Sequence, residues 1–217
     1  MKIFLDSVDL NEIKKYSTFN LIDGVTTNPS LMASSKLDFY STINSITQIV
    51  SGDVSIEVIS TDYEQMLKEG DKITKSGESN IVIKLPMTWD GLRACRYFTY
   101  NGHKVNMTLC FTSSQALLAA KSGATYISPF IGRLEDNGQN GIALIQEIRK
   151  IYDNYGFKTQ ILAASIRNIT HVEQCAVAKA DVVTVPAKVM SHLVEHELTK
   201  SGLEKFNLDW SKSNKNI

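Results

Sequence analysis

The chain alternates between short runs of β-branched and apolar residues and longer segments with helical periodicity, and the short runs occur eight times. Such runs predict strands, because branched and aromatic side chains favour extended structure. The predicted strands cover residues 2–7, 24–28, 54–60, 80–86, 104–111, 125–132, 159–165 and 182–186. Segment 141–152 illustrates the intervening helices, with apolar residues on one helical face. Strands that alternate with helices indicate βαβ units and a parallel sheet.

A single folding unit explains this pattern best. No Pro- or Gly-rich linker divides the 217 residues, and barrels of alternating strands and helices often run past about 200 residues as one domain. Eight units predict an α/β fold, a single-domain (β/α)8 TIM barrel over residues 1–217, with 199–217 as an extra C-terminal helical tail. A doubly wound open sheet is the structural alternative.

Several helix starts have a recognisable spacing. A threonine followed three residues later by Glu or Gln predicts a capping box. The pairs are Thr61 with Glu64, Thr112 with Gln115, and Thr170 with Glu173. In the tail, Leu203, Phe206 and Trp210 form one apolar stripe, which packs either on its own barrel or on a neighbouring subunit.

Composition excludes some function classes. The 23 basic residues balance 23 acidic ones, so bulk charge favours neither nucleic acid nor an anionic membrane as a partner. No apolar stretch approaches transmembrane length and the first residues do not form a signal peptide, so we expect a cytoplasmic protein. Cys95, Cys110 and Cys175 lack metal-ligand spacing and are expected to be reduced and buried.

One lysine interrupts the apolar run IVIKLP at residues 81–86. Residues two apart on a barrel strand share a face, so Lys84 should point into the barrel near the carboxyl end of its strand, where barrel enzymes hold their active sites. Amines attack carbonyl groups only when neutral, and apolar walls favour the neutral form. Lys84 is therefore a candidate Schiff-base nucleophile. A buried ion pair with Asp6 or Glu57 is the structural alternative.

Further polar residues lie near the ends of predicted strands and could surround this lysine. They are Asp6, Asn28, Glu57, Asn106, Thr108 and Ser128. Each alone is explained by the capping of a turn. Together they predict a site, because buried polar groups must be satisfied by one another, by water or by a ligand.

Two of the five arginines directly follow strand ends. Arg133 comes after SPFIG, and Arg167 follows ILAASI with Ser165 close by. Two guanidinium groups and a hydroxyl predict a phosphate site. Separate surface salt bridges are the alternative.

These residues resemble the transaldolase family, in particular its small-subunit branch, which includes the fructose 6-phosphate aldolases. The matching stretches are FLDS, DGVTTNPSL, IEVISTD, IVIKLPMTWDGL, KVNMTLCFT, SQALLAAKSGATYISPFIGRLED and ILAASIRN, and they extend from the first strand to the last. The resemblance implies a (β/α)8 barrel without metal or organic cofactor. It implies transfer of dihydroxyacetone from sedoheptulose 7-phosphate or fructose 6-phosphate to glyceraldehyde 3-phosphate or erythrose 4-phosphate, in the non-oxidative pentose phosphate pathway. It also implies a homo-oligomer, often a decamer of pentameric rings.

The resemblance also implies residue roles. Lys84 would form the Schiff base, Asp6 would act as the base for bond cleavage, and Glu57 with Thr108 would hold a proton-shuttling water. Asn28, Asn106 and Ser128 would bind the hydroxyls of the three-carbon unit, and Arg133, Ser165 and Arg167 would bind the phosphate.

Two positions indicate which branch of the family the chain is similar to. Fructose 6-phosphate aldolases carry glutamine where Glu57 stands and tyrosine where Phe130 stands, so both residues are of the transferase type. A phenol could protonate the intermediate and release dihydroxyacetone, whereas Phe130 offers no proton. Release of free dihydroxyacetone is the alternative activity.

Two other functions are considered. The segment from His192 to His196 matches H-x-x-E-H, an inverted zinc-peptidase pattern. That pattern requires a further downstream ligand, and an ordinary amphipathic helix is the competing interpretation. A barrel that binds sugar phosphate without turnover is the second alternative.

Overall fold

The computed structural model describes residues 1–76 and 79–213, and in these residues eight parallel strands close into a barrel. Each strand pairs with the next along the chain, and the first pairs with the last, from Lys2 beside Val182 to Asp6 beside Pro186. The strands are β1 Lys2–Asp6, β2 Gly24–Thr26, β3 Asp53–Glu57, β4 Ile81–Pro86, β5 Lys104–Cys110, β6 Tyr126–Pro129, β7 Gln160–Ala163 and β8 Val182–Pro186. The predicted (β/α)8 fold is confirmed, and closure excludes the open sheet.

Helices surround the barrel and connect its strands. In the described part of the chain they are α1 Leu10–Thr18, α2 Pro29–Ser34, α3 Phe39–Ile49, α4 Tyr63–Lys75, α5 Trp89–Tyr100, α6 Ser113–Lys121, α7 Ile131–Asp136, α8 Gly141–Tyr155, α9 Ile169–Val177, α10 Ala187–His192 and α11 Glu197–Lys212. In α8 the side chains of Leu144, Ile145, Ile148 and Tyr152 are buried. This face matches the helical periodicity of segment 141–152.

The two faces of the strands form two apolar layers. Inside the barrel, Phe4, Val82, Tyr126, Leu162 and Val182 form one cluster. On the other face of β4, Ile81, Ile83 and Leu85 belong to the larger core beneath the helices. This alternation confirms the predicted inward direction of Lys84, because Lys84 lies two residues from Val82.

Glycine at position 24 is required by the barrel interior. A Cβ atom there would lie 2.4 Å from the carbonyl oxygen of Asp53 and 2.7 Å from the ring of Phe4. A larger residue would therefore push the Phe4 ring out of the inner cluster.

One of the three predicted capping boxes is present. Thr112 accepts from the Gln115 N–H, and the Gln115 side chain accepts from the Thr112 N–H. The other two predictions are wrong, because Asp62 caps α4 and Asn168 caps α9. Asp and Asn are at least as good as Thr at this position, and here they lie at the true helix starts.

The C-terminal helix α11 has no buried side chain. Leu203, Phe206 and Trp210 are 57%, 70% and 47% exposed. Packing of this stripe on its own barrel is therefore excluded in the single chain. The last four residues of the predicted tail, 214–217, lie outside the described residues.

Candidate active site

A cavity of about 500 Å³ opens at the carboxyl ends of the strands. Apart from two leucines, an alanine, a proline and a phenylalanine, its walls are polar or charged. It is lined by Asp6, Thr26, Asn28, Pro29, Ser30, Leu31, Glu57, Lys84, Leu109, Ser128, Phe130, Arg133, Ala164, Ser165, Arg167 and Thr184. The position matches the active-site end of (β/α)8 barrels.

Lys84 lies at the base of this cavity with only 5% of its surface exposed. Its Nζ lies 3.0 Å from Glu57 Oε2 and donates to the carbonyl oxygen of Thr27 at 2.8 Å. Strand pairing brings the two charged residues together, because Glu57 is the direct neighbour of Lys84 in the β3–β4 register. The sequence left the partner open between Asp6 and Glu57, and the structure places Glu57 in contact.

Asp6 lies at the end of a chain of hydroxyl groups. Thr26 donates to Asp6 Oδ1 at 2.8 Å, and the Thr26 and Thr184 hydroxyls are 2.6 Å apart. Burial raises the pKa of Asp6 above its usual 3.8, against the opposing effects of the Thr26 hydrogen bond and the positive charge of Lys84. A carboxylate with a raised pKa is a stronger base, so Asp6 is suited to accept a proton from a ligand.

Strand β5 contributes two polar residues below the cavity wall. Asn106 is fully buried, accepts from the Ser128 hydroxyl at 2.8 Å and donates to the Ser55 hydroxyl at 3.3 Å. The Thr108 hydroxyl is buried and makes no hydrogen bond within the described chain. Asn106 thus orients Ser128.

A bulge in β5 reshapes the wall above Thr108. The pairing with β6 shifts between Met107 and Cys110, and Leu109 has a φ of +60°. Such a backbone costs about 1 kcal/mol or more in a residue with a side chain. Because of the bulge, Leu109 lines the cavity, whereas strict alternation along β5 would direct its side chain toward the helices.

Two arginines line the outer part of the cavity. The Arg133 guanidinium stacks over the Phe130 ring, 5.0 Å from its centroid. Arg167 pairs with Asp136 at 2.7 Å. Ser165, which lines the same cavity, has a φ of +61°.

Close backbone packing holds the two arginine-bearing segments together. The Gly132 N–H donates to the Ser165 carbonyl, and a Cβ at Gly132 would lie 2.0 Å from that oxygen. Glycine is therefore required where α7 contacts the end of β7.

Nine of the eleven site residues predicted from the sequence line this cavity: Asp6, Asn28, Glu57, Lys84, Ser128, Phe130, Arg133, Ser165 and Arg167. Asn106 and Thr108 lie beneath it. Asn28 also caps α2 by accepting from the Leu31 N–H, so its side-chain oxygen is already engaged. Sequence reasoning missed Thr26 and Thr184, although both occupy inward positions that the period of two would have identified.

The histidines of the H-x-x-E-H segment lie on different elements. His192 ends α10, whereas His196 caps α11 by accepting from the Leu198 N–H. The interpretation of this segment as one amphipathic helix is therefore wrong. Within residues 1–76 and 79–213, no cluster of three or more potential metal ligands occurs.

The remaining sequence expectations concern cysteines and membrane spans. Cys95, Cys110 and Cys175 are free and buried, and burial raises the pKa of each thiol to about 12. None of the helices described in the structure has both the length and the apolar character to cross a bilayer.

Comparison with known proteins identifies the family. The family model for transaldolase/fructose-6-phosphate aldolase matches residues 3–217. Proteins named probable transaldolase from Brucella ovis, Chelativorans sp. and Bartonella tribocorum are 55%, 53% and 52% identical to this chain over 217 residues, covering all of both sequences. The chain belongs to the transaldolase/fructose-6-phosphate aldolase family.

Proposed function

We propose that this enzyme is a transaldolase that moves a dihydroxyacetone unit from a ketose phosphate to an aldose phosphate through a Schiff base on Lys84. The donor is sedoheptulose 7-phosphate or fructose 6-phosphate, and the acceptor is glyceraldehyde 3-phosphate or erythrose 4-phosphate. The observation that carries the proposal is a buried amine at the base of a polar cavity, with one carboxylate in contact and a second nearby.

The first step joins the amine to the ketone carbon of the donor. Glu57, 3.0 Å from Nζ, accepts the ammonium proton, and the neutral nitrogen forms a C–N bond while the ketone oxygen becomes a hydroxyl. Protonation of that hydroxyl expels water and leaves a positively charged imine. Glu57 and the Thr108 hydroxyl support this step by holding a water molecule that moves protons between nitrogen and oxygen.

The second step breaks the carbon–carbon bond. Asp6 removes the proton from the hydroxyl on C4, and the C3–C4 bond breaks as that oxygen forms an aldehyde. The bonding electrons move into the imine and give a neutral enamine. Transfer reverses these events, because the enamine carbon attacks the acceptor aldehyde and water then releases the product from Lys84.

The remaining polar residues orient the sugar. Asn28, Asn106 and Ser128 are assigned to the hydroxyls of the three-carbon unit, with Asn106 acting through Ser128 in the unliganded geometry. Arg133, Ser165 and Arg167 are assigned to the phosphate, because two guanidinium groups and a hydroxyl lie at the outer wall of the same cavity.

Phe130 favours transfer over release. The ring lines the cavity and stacks under Arg133, so no phenolic proton is available there to quench the enamine. The second candidate, an aldolase that releases free dihydroxyacetone, requires another proton donor at the enamine.

The deciding experiment is a coupled assay with fructose 6-phosphate, run with and without erythrose 4-phosphate. We expect glyceraldehyde 3-phosphate to appear continuously only when the acceptor is present. Borohydride added with the ketose should leave a permanent mass increase on the peptide that contains Lys84. Turnover without acceptor would favour the aldolase, and an unmodified Lys84 peptide would refute the mechanism.

We also infer a homo-oligomer, built as a decamer of pentameric rings, that acts in the cytoplasm. The apolar stripe of α11 supports assembly, because Leu203, Phe206 and Trp210 remain exposed in the single chain. Sedimentation of the wild type should give a mass near ten chains, and Phe206→Asp should shift it to smaller species. A monomeric wild type would contradict this inference.

A further inference from the structure

A buried histidine lies behind the arginine pair, outside the cavity wall. His171 is 4% exposed and sits in the first turn of α9. Its Nδ1 accepts from the backbone N–H of Arg167 at 3.2 Å, and its Nε2 lies 2.7 Å from Glu135 Oε2. Because Nδ1 accepts a hydrogen bond, Nε2 carries the proton and donates it to Glu135.

This ring connects the two segments that carry the arginines. Glu135 belongs to α7, the same short helix that presents Arg133, whereas Nδ1 holds the main chain of Arg167 at the end of the β7 segment. The ion pair between Arg167 and Asp136 is a second connection, but both side chains are more than half exposed. Exposed ion pairs contribute little to rigidity or stability, so the buried ring is the stronger of these two side-chain connections, which add to the backbone hydrogen bond from Gly132 to Ser165.

We propose that His171 is a positioning residue for phosphate recognition, acting through the main chain of Arg167. The Nδ1 acceptor fixes the backbone from which the Arg167 side chain extends, and Glu135 keeps the ring in the tautomer that can accept. The main-chain segments from which Arg133 and Arg167 extend are then held together before substrate binds, which lowers the ordering cost of binding. This inference rests on the proposed phosphate site.

Two substitutions separate the ring's two contacts. In His171→Asn the side-chain oxygen replaces Nδ1 and still accepts from the Arg167 N–H. In His171→Gln the terminal amide reaches toward Glu135, and the acceptor for Arg167 is lost. Loss of one such hydrogen bond corresponds to a change of about 3- to 10-fold in affinity.

The readouts distinguish phosphate recognition from the chemistry at Lys84. We expect His171→Gln to raise the KM for fructose 6-phosphate and the inhibition constant for inorganic phosphate by the same factor, with kcat within about twofold. His171→Asn should stay near wild type in both constants. Borohydride trapping with dihydroxyacetone, which has no phosphate, should be unchanged in both variants. His103→Gln is the matched control, since His103 is exposed and precedes β5 at the opposite end of the barrel.

Three outcomes would overturn the inference. One is a His171→Gln enzyme with wild-type constants for phosphate and fructose 6-phosphate. Another is equal loss in trapping with dihydroxyacetone, because a purely structural role would affect phosphorylated and unphosphorylated ligands alike. If His171→Gln does not fold, Glu135→Leu replaces it, because the Glu135 side chain is partly exposed and its loss disturbs the core less. The third outcome would be a Glu135→Leu enzyme with wild-type constants for phosphate and fructose 6-phosphate.

Failure of the phosphate site itself is recognised separately. Arg167→Ala should weaken phosphate inhibition whether or not His171 positions it. If Arg167→Ala leaves phosphate inhibition unchanged, the proposed phosphate site is wrong. If Arg167→Ala weakens it and His171→Gln does not, only the role of His171 is wrong.

Discussion

Replacing Lys84 by methionine separates the structural role of the amine from its chemical role. Methionine keeps an unbranched side chain of similar length, so the packing against the barrel interior changes little. The substitution removes the ion-pair partner of Glu57, whose side chain is only 12% exposed, and the donor to the Thr27 carbonyl. The variant should therefore lose both activity and stability.

The size of the stability loss follows from the burial of the pair. Unit charges 3.0 Å apart attract by about 5 to 6 kcal/mol at an effective dielectric constant of about 20. Removing one partner of such a buried pair costs about 3–5 kcal/mol, because the other charge stays out of water. For a chain of this length, we expect a fall in the melting temperature of roughly 6–20 °C.

Lys104 offers a matched control at the other end of the barrel. It pairs with Asp53 at 2.7 Å, and its own side chain is 50% exposed. Asp53 is only 14% exposed, but it also accepts from the Tyr126 hydroxyl at 2.6 Å and therefore keeps a partner when the lysine is removed. Lys104→Met should cost less than about 1 kcal/mol and leave transfer activity intact. Glu57→Gln combined with Lys84→Met should recover most of the stability lost in the single variant, because no uncompensated charge then remains.

Urea unfolding of the four proteins measures these differences, and the coupled transfer assay follows activity. The single Lys84 variant should show no transfer above background. If Lys84→Met unfolds at the same urea concentration as Lys104→Met, the pair with Glu57 does not stabilise the barrel. The reasoning from burial would then be refuted, even if activity were lost.

Three further substitutions test other parts of the site. Burial raises the pKa of Asp6, so its ionised form destabilises the fold above that pKa. Asp6→Asn should therefore abolish transfer yet raise the melting temperature at pH 7, and this gain should fade as the pH falls toward 3.8. An unchanged melting temperature at pH 7 would contradict this reasoning. Phe130→Tyr should release dihydroxyacetone from fructose 6-phosphate without acceptor, measured with a dehydrogenase-coupled assay; unchanged dependence on acceptor would count against the role of Phe130. Gly132→Ala should lower the melting temperature and raise the KM for fructose 6-phosphate, because its Cβ would meet the Ser165 carbonyl. Gly202→Ala, with open space around it inside α11, should leave the KM unchanged and should not lower the melting temperature.

The period of two along the strands was sufficient to predict much of this molecule. Runs of β-branched and apolar residues predicted the eight strands, and the period of two predicted the inward direction of Lys84 and the convergence of polar groups at one end of the barrel. The ion-pair partner of Lys84 could not be chosen from sequence, because Asp6 and Glu57 both occupy late positions on inward faces. Only the register of β3 against β4 places Glu57 in contact.

Other features depend on contacts between distant segments. The Thr26 and Thr184 hydroxyls meet across 158 residues of sequence, and His171 reaches Glu135 across 36. The bulge at Leu109 has no glycine to signal its positive φ. The caps of α4 and α9 were predicted at Thr61 and Thr170, whereas the structure has them at Asp62 and Asn168. Several good capping residues stand close together in both places, and local propensity does not choose among them.

Closure of the barrel by its first and last strands also makes the candidate site depend on the whole length of the chain. A growing polypeptide that still lacks β8 has no Thr184 hydroxyl in contact with Thr26, and its strand β1, from Lys2 to Asp6, has no partner on one side. The hydroxyl partners of Asp6 are then incomplete, and the cavity that Thr184 helps to line is open on one side. The candidate site is thus assembled only after synthesis reaches the final strand and the barrel closes.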